Sequence, residues 1–256
     1  MPDNHPPIGE VDGKAEAVED MFDAVAPRYD LLNRVLSVGI DRYWRTRTVR
    51  TLTDEQPRRV LDVATGTADL AIKIQRTLHP RETVGIDLST EMLRRGRQKI
   101  ETAGLAPRIT LQKADAANLP HPENSFDAAF VAFGVRNFED LDAGLSDIRR
   151  VVRPGGALVV LEFSQPRTFP IRQLYDWYSR HVLPRIGGLL SPDQGAYEYL
   201  PNSVASFPDG SDFLQRMTTA GFADLEWIPL TFGIASLYKG RVRRQGNGGS
   251  QFATVS

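Results

Sequence analysis

The stretch VLDVATGTADL, Val60–Leu70, limits what this chain can fold into more than any other part of it. An apolar run ends in an acidic, glycine-bearing turn, and a helical pattern begins at Asp69. A second apolar run follows, VGIDLS, and ends in Asp87. Strand, tight turn, helix and second strand make a parallel α/β unit, which presents a nucleotide site at the carboxyl ends of its strands. The alternation continues on both sides of that unit. Spacing and turn residues predict strands over 59–63, 83–87, 109–113, 126–133 and 157–162, and helices over 69–78 and 89–103. A further helix buries the stripe Leu141, Leu145, Ile148 and Val152. Ser89 suits a helix N-cap and Gly104 a helix end. Arg153-Pro154-Gly155-Gly156 reads as a tight turn. Two last strands, 222–229 and 233–240, are joined too briefly to be parallel, since a parallel crossover needs a dozen or more residues.

These elements describe one α/β domain over residues 13–240. Residues 13–52 predict helices, with a break at Pro27. Residues 165–208 are aromatic and proline-punctuated, and too long for an ordinary loop, so they predict a cap inserted over a site, with a helix near 169–183. A last helix is expected over 212–220. Residues 1–12 and 241–256 read as disordered tails. Composition removes several chemistries. The chain has no Cys, which excludes a disulfide framework, a thiolate nucleophile and a Cys-based metal site. No metal site is expected. With 31 basic and 32 acidic residues and a net charge of −1, there is no electrostatic case for a nucleic-acid partner. No apolar run approaches the roughly 18 residues of a membrane span. The polar opening MPDNHPPIGE lacks the apolar core of a secretory signal, so the expected location is cytoplasmic.

The first turn chooses between cofactors. A dinucleotide fold wants G-x-G-x-x-G, because the pyrophosphate approaches the backbone at three places. Here the turn reads Ala64-Thr65-Gly66-Thr67-Ala68-Asp69, with one Gly. That is a poor pyrophosphate cradle and suits a cofactor without phosphate, whose methionine part packs against Gly66. An acid at Asp62 or Asp69 can meet a cationic ammonium, where it would repel a phosphate. Asp87 sits where a carboxylate accepts from both ribose hydroxyls. Asp115-Ala116, after the third strand, can reach an adenine amino group. The antiparallel ending is typical of S-adenosylmethionine-dependent methyltransferases, whose class I Rossmann-like fold carries a seven-stranded sheet with helices on both faces.

Three stretches then resemble the ubiquinone/menaquinone biosynthesis C-methyltransferase family: MFDAVAPRYDLLNRVLSVGIDRYWR (21–45), FVAFGVRNFEDLDAGLSDIRRVVRPGGALVVLEFSQP (130–166) and YEYLPNSVASFPDGSDF (197–213). The resemblance covers most of residues 18–240. It implies S-adenosylmethionine as cofactor, with contacts at Thr67, Asp87 and the pair Asp115-Ala116. It implies a prenylated quinol as acceptor, with C-methylation of demethylmenaquinol to menaquinol ahead of the benzoquinol intermediate of ubiquinone synthesis. The family often has Asn at Asp115 and a Ser at Ala132. Many members have His and Met where this chain has Asp41 and Leu32.

A quinol ring carbon is a weak nucleophile until a neighbouring hydroxyl loses its proton. Arg136, in FGVRN beyond the fourth strand, is placed to hold the developing oxyanion, and Asn137 to position the same hydroxyl. The blander reading of Arg136 is a salt bridge to Glu139 or Asp140. Tyr29, Asn33 and Tyr199 are candidate walls of the acceptor pocket. Trp44 and His181 read more naturally as structural residues, and Glu162 as a hydrogen-bond anchor for neighbouring backbone. A lipid-soluble acceptor leaves room for peripheral membrane contact through 165–190, and an oligomer stays open. Rival readings are a methyltransferase for another small molecule, a non-catalytic cofactor-binding subunit, and a dehydrogenase, the last weakened by the single-glycine turn.

Overall fold

The computed structural model describes residues 14–37, 39–170, 172–174, 177–178 and 195–244. Three helices come first: α1 (Lys14–Val25), α2 (Tyr29–Leu36) and α3 (Asp41–Arg50). The alternating region follows as β1 (Arg59–Val63), α4 (Asp69–Leu78), β2 (Glu82–Asp87), α5 (Thr90–Thr102), β3 (Ile109–Lys113), β4 (Phe126–Ala132), α6 (Leu141–Val151) and β5 (Val152–Phe163). After α7 (Gly195–Ser206) and α8 (Ser211–Thr219) the chain ends in β6 (Phe222–Leu230) and β7 (Ala235–Val242). The seven strands lie in the order β3-β2-β1-β4-β5-β7-β6. The first five pair in parallel, and β7 runs antiparallel to both β5 and β6.

Strand residues alternate between two cores, as a sheet covered on both faces requires. Leu61 and Val63 of β1 pack with Leu145 and Ile148 of α6 and with Phe213 and Met217 of α8. Val60 packs on the other face with Leu70 and Ile74 of α4 and with Trp44 and Val49 of α3. Ser89 caps α5 by accepting a hydrogen bond from the Met92 N–H at 3.0 Å, as its sequence position predicts.

Several boundaries differ from expectation. The predicted turn at 153–156 is a bulge inside β5: Phe126 pairs with Val152, and Ala128 already pairs with Ala157. The extra residues are looped out between those pairs, and a Cβ on Gly156 would lie 2.6 Å from the Asp127 carbonyl oxygen. Strand β7 continues to Val242, which shortens the expected C-terminal tail. The remaining tail residues 245–256, the N-terminal tail, His181 and most of the expected helix over 169–183 lie outside the described residues.

Candidate active site

A cleft of about 700 Å³, counting its open mouth, lies at the carboxyl ends of the parallel strands. Its floor is the β1–α4 turn at Val63, Ala64 and Gly66. One wall is the end of β2 at Asp87–Ser89 with the end of β3 at Ala114–Ala116. The opposite wall is the turn after β4, including Phe133, Gly134, Asn137 and Phe138. Val18 and Phe22 of α1 and Tyr29 of α2 cover it.

Local backbone makes this shape. Ala64, Gly66 and Ala68 all have left-handed φ, at 54°, 54° and 65°. The resulting turn aims the Gly66 N–H at Asp87, whose Oδ2 accepts it at 2.8 Å. Asp87 Oδ1 accepts the Ser89 N–H at 3.0 Å. Gly134 lets the β4 turn close on this floor, since a Cβ there would lie 2.4 Å from the Ala64 Cβ. Burial pushes the Asp87 carboxyl up to about 6 against the pull of those N–H groups, and the nearby Asp23 carboxylate adds to the rise. Asp115 accepts the Ala117 N–H at 2.9 Å through Oδ1, which fixes its orientation at the cleft wall.

The structure brings Gly66, Asp87, Asp115, Ala116, Asn137 and Tyr29 to one cleft and leaves the other candidates off its lining. Asp62 lies just behind the floor. Its Oδ2 accepts the Thr65 hydroxyl at 2.6 Å, while its buried Oδ1 has no geometrically sound hydrogen bond among the described residues. Burial pushes its carboxyl up to about 7, although Thr65, the Arg45 charge and the Ala71 N–H pull it down. Thr67 is turned away from the cleft: its hydroxyl donates to Asp30 at 2.6 Å and accepts from Lys99 at 2.9 Å. Asn33 is half-buried one helical turn beyond Tyr29 and hydrogen-bonds its hydroxyl. Burial raises the Tyr29 phenol above its usual value despite the opposing Arg136 and Arg45 charges, so it is protonated at neutral pH.

Arg136 and Tyr199 form a second cluster behind the β4 wall. Arg136 Nη1 donates to Glu162 Oε1 at 2.8 Å and to the Phe133 carbonyl at 2.6 Å, and Nε reaches the Ser203 hydroxyl at 3.3 Å. The pair is deeply buried, at 7% exposure for Arg136 and 0% for Glu162. The partner is thus Glu162 at the end of β5, not Glu139 or Asp140 as the local sequence suggested. Asp140 is already committed as the N-cap of α6, accepting from Asp142 and Ala143. Glu162 also accepts the N–H groups of Arg136 and Phe163, the anchoring role read from its position. Tyr199 donates to Asn137 Oδ1 at 3.0 Å and so joins α7 to the cleft wall.

Asp41 is buried and committed: it pairs with Arg45 and accepts the Ser37 hydroxyl at 3.0 Å. Trp44 is core, and its indole N–H donates to the Thr231 hydroxyl at 2.8 Å. Sequence reasoning missed the cover supplied by Val18 and Phe22, and missed Glu162 as the partner of Arg136. Phe22 was visible only as one apolar position of a helix, with nothing in the sequence to say where that helix docks.

The sheet order and the cleft at the strand ends define a class I, Rossmann-like methyltransferase fold. Among solved structures, a SAM-dependent methyltransferase of Thermotoga maritima superposes with a TM-score of 0.62 at 18% identity, covering 88% of this chain and 99% of that one. The sequence model of the ubiE/COQ5 methyltransferase family matches residues 10–241, and the chain belongs to that family. It is an S-adenosylmethionine-dependent methyltransferase. The demethylmenaquinone methyltransferase of Bacteroides fragilis is 46% identical over 225 residues, 88% of this chain and 92% of that protein. The ubiquinone/menaquinone biosynthesis C-methyltransferase of Geobacter sulfurreducens is 46% identical over 228 residues, 89% of each chain.

Proposed function

We propose that this enzyme methylates a ring carbon of a demethylated, prenylated naphthoquinol, producing a menaquinol. The names of its relatives, at nearly half identity along most of both chains, are the observation that carries the acceptor. When bound, S-adenosylmethionine supplies an electrophilic methyl group on a sulfonium. The residues of the cleft fit that donor. Asp87 presents remaining lone pairs to ribose hydroxyls, and Asp115 with Ala116 meets the adenine. Gly66 allows close approach of the methionine part. The unpartnered Asp62 Oδ1 suits a cationic ammonium, and its raised pKa is what a buried carboxyl shows before a cation arrives.

On the acceptor side, Asn137 accepts or donates at a quinol hydroxyl. The Arg136 guanidinium balances the phenolate charge that makes the neighbouring carbon nucleophilic. Its Nη2 has no protein partner among the described residues, while Glu162, Phe133 and Ser203 hold the rest of the fork still. Tyr29, protonated at neutral pH, acts as a hydrogen-bond donor and not as a base. Val18 and Phe22 keep water from the transferring methyl group.

The testing experiment is a methyl-transfer assay on short-chain demethylmenaquinol and the corresponding benzoquinol, side by side, under reducing conditions. The proposal expects the naphthoquinol to have the higher kcat/KM. A higher kcat/KM for the benzoquinol would assign the acceptor to ubiquinone synthesis instead.

A further inference from the structure

We propose that the carboxyl edge of the sheet carries a bilayer-docking rim, built by Ile40, Tyr43, Phe169 and Phe232 and edged with arginines, that seats on an anionic lipid surface. Large apolar side chains are exposed there: Phe169 at 82%, Phe232 at 72% and Tyr43 at 55%. Phe232 is the sharpest case. It sits in the β6–β7 turn with φ of 59°, a left-handed conformation that a bulky L-residue rarely adopts. The turn therefore carries a strained backbone and a largely exposed ring.

Hydrogen bonds tie the segments that bear these residues together at the β6–β7 turn. The Trp44 indole donates to the Thr231 hydroxyl at 2.8 Å, which seats the start of α3, with Ile40 and Tyr43, against the turn that bears Phe232. On the other side of that turn, the Ser164 hydroxyl donates to the Gly233 carbonyl at 2.8 Å, which brings in the segment leading to Phe169. The rim is one aromatic layer from the cleft. Phe133 lines the cleft and packs on Phe163 at 4.5 Å and on Trp44 at 6.1 Å between ring centroids.

Charge selects the occupant. In the described residues of 39–47, 164–174 and 229–235 the charged side chains are Arg42, Arg45, Arg47, Arg167, Arg172 and Asp41. Arg45 is buried against Asp41, and Arg167 pairs with Asp209. Arg42, Arg47 and Arg172 are exposed and have no carboxylate partner among the described residues. Exposed rings edged by unpaired arginines match a bilayer with anionic headgroups, where rings enter the interface and guanidiniums meet phosphates. The purpose of such a rim rests on the lipid-soluble acceptor proposed above, but its test does not use that acceptor. Failure of one therefore leaves the other standing.

The experiment is flotation of the full chain with phosphatidylcholine vesicles, with and without phosphatidylglycerol. Binding is expected to the mixed vesicles and to be weak on phosphatidylcholine alone. Arg42→Gln with Arg172→Gln should weaken binding about fivefold per arginine. Tyr43→Ser with Phe232→Asn, where Asn tolerates the left-handed turn, should weaken it about tenfold or more. Calorimetric titration with S-adenosylmethionine should give the same affinity for every variant, which shows an intact fold. Absence of wild-type binding to anionic vesicles, or equal binding by the Tyr43→Ser, Phe232→Asn variant, would overturn the proposal. So would a dimer in light scattering that this variant dissolves, because a second copy would then be the occupant.

Discussion

The role proposed for Asp87, accepting hydrogen bonds from two ribose hydroxyls, calls for its ionised form, and burial in the free protein opposes that ionisation. Burial lifts it to about 6 and Asp62 to about 7, both from an ordinary value of 3.8. A cationic ligand that donates hydrogen bonds favours the ionised forms. S-adenosylmethionine should therefore bind more tightly as pH rises from about 5.5 to 8, releasing protons as it does so. Titration calorimetry in two buffers of different ionisation enthalpy measures both effects, and an affinity flat across that range would contradict the assignment. The sign for the free protein is opposite. A carboxyl whose pKa is raised on folding loses stability as pH climbs from its unfolded value through its folded one. Thermal midpoints without ligand should thus fall between pH 5 and 8, and saturating cofactor should reduce that fall.

Arg136 gives a second test at this scale. Arg136→Ala should lower turnover at least about a hundredfold, the size seen when an oxyanion donor is removed. Cofactor affinity should stay within about threefold, since the guanidinium lies off the cleft lining. The same change leaves Glu162 buried without its cation, so a stability loss of about 3–5 kcal/mol in urea unfolding is also expected. Arg136→Lys keeps the charge but not the fork, and should fall between the two. Single residues were legible in the sequence where chemistry and position coincide: Gly66, Asp87, Asp115 and Ala116 follow strands directly and reach the cleft. Glu162 was not tied to Arg136, because their contact depends on the register that pairs Ala132 with Leu161.

Helices α1 and α2 cover the cleft through polar ties beside a small apolar cluster of Val25, Ala26 and Met92 with Phe22 and Tyr29. Asp23 accepts from the Ser89 hydroxyl and from the Glu91 N–H, Glu19 pairs with Lys113, and Lys99 holds Asp30 at 2.7 Å. Lys99 also donates to the Thr67 hydroxyl at 2.9 Å, which ties the β1–α4 turn into this clasp. Partly exposed pairs contribute about 0.2–1 kcal/mol each. Lys99→Ala should then raise the cofactor dissociation rate about two- to fivefold in stopped-flow fluorescence. An unchanged rate would mean that the cover does not gate the cleft. At the opposite wall, Gly134→Ala forces a Cβ onto Ala64, and overpacking of this kind costs about 1–3 kcal/mol. Cofactor affinity should drop with stability there, because the two turns that meet are both part of the cleft. Apolar spacing revealed these helices and strands, but it carries no record of docking. The position of α1 and the bulge in β5 appear only once the sheet is assembled.

Across the whole molecule, the sheet order β3-β2-β1-β4-β5-β7-β6 gathers the ends of β1, β2, β3 and β4 on one edge, and the cleft lies there. This architecture was largely readable beforehand. The two closing strands are too close in sequence to be parallel, and the single-glycine turn sets the first strand apart from dinucleotide folds. The segment from 165 to 208 was the least readable part, since its proline and aromatic residues carry no period that fixes an element. Of it, α7 adds Tyr199 and Ser203 to the Asn137–Arg136 cluster, so the proposed acceptor side draws on a part of the chain far in sequence from the proposed cofactor side. The proposed donor and acceptor sides meet only if methyl transfer occurs at the ring carbon next to the hydroxyl assigned to Arg136 and Asn137. The most direct measurement loads the enzyme with S-adenosylmethionine carrying a carbon-13 methyl group, mixes it with demethylmenaquinol for one turnover, and locates the label by NMR. The label is predicted on a ring carbon of the product. Label on a quinol oxygen, or no transfer from a saturated enzyme, would contradict the account.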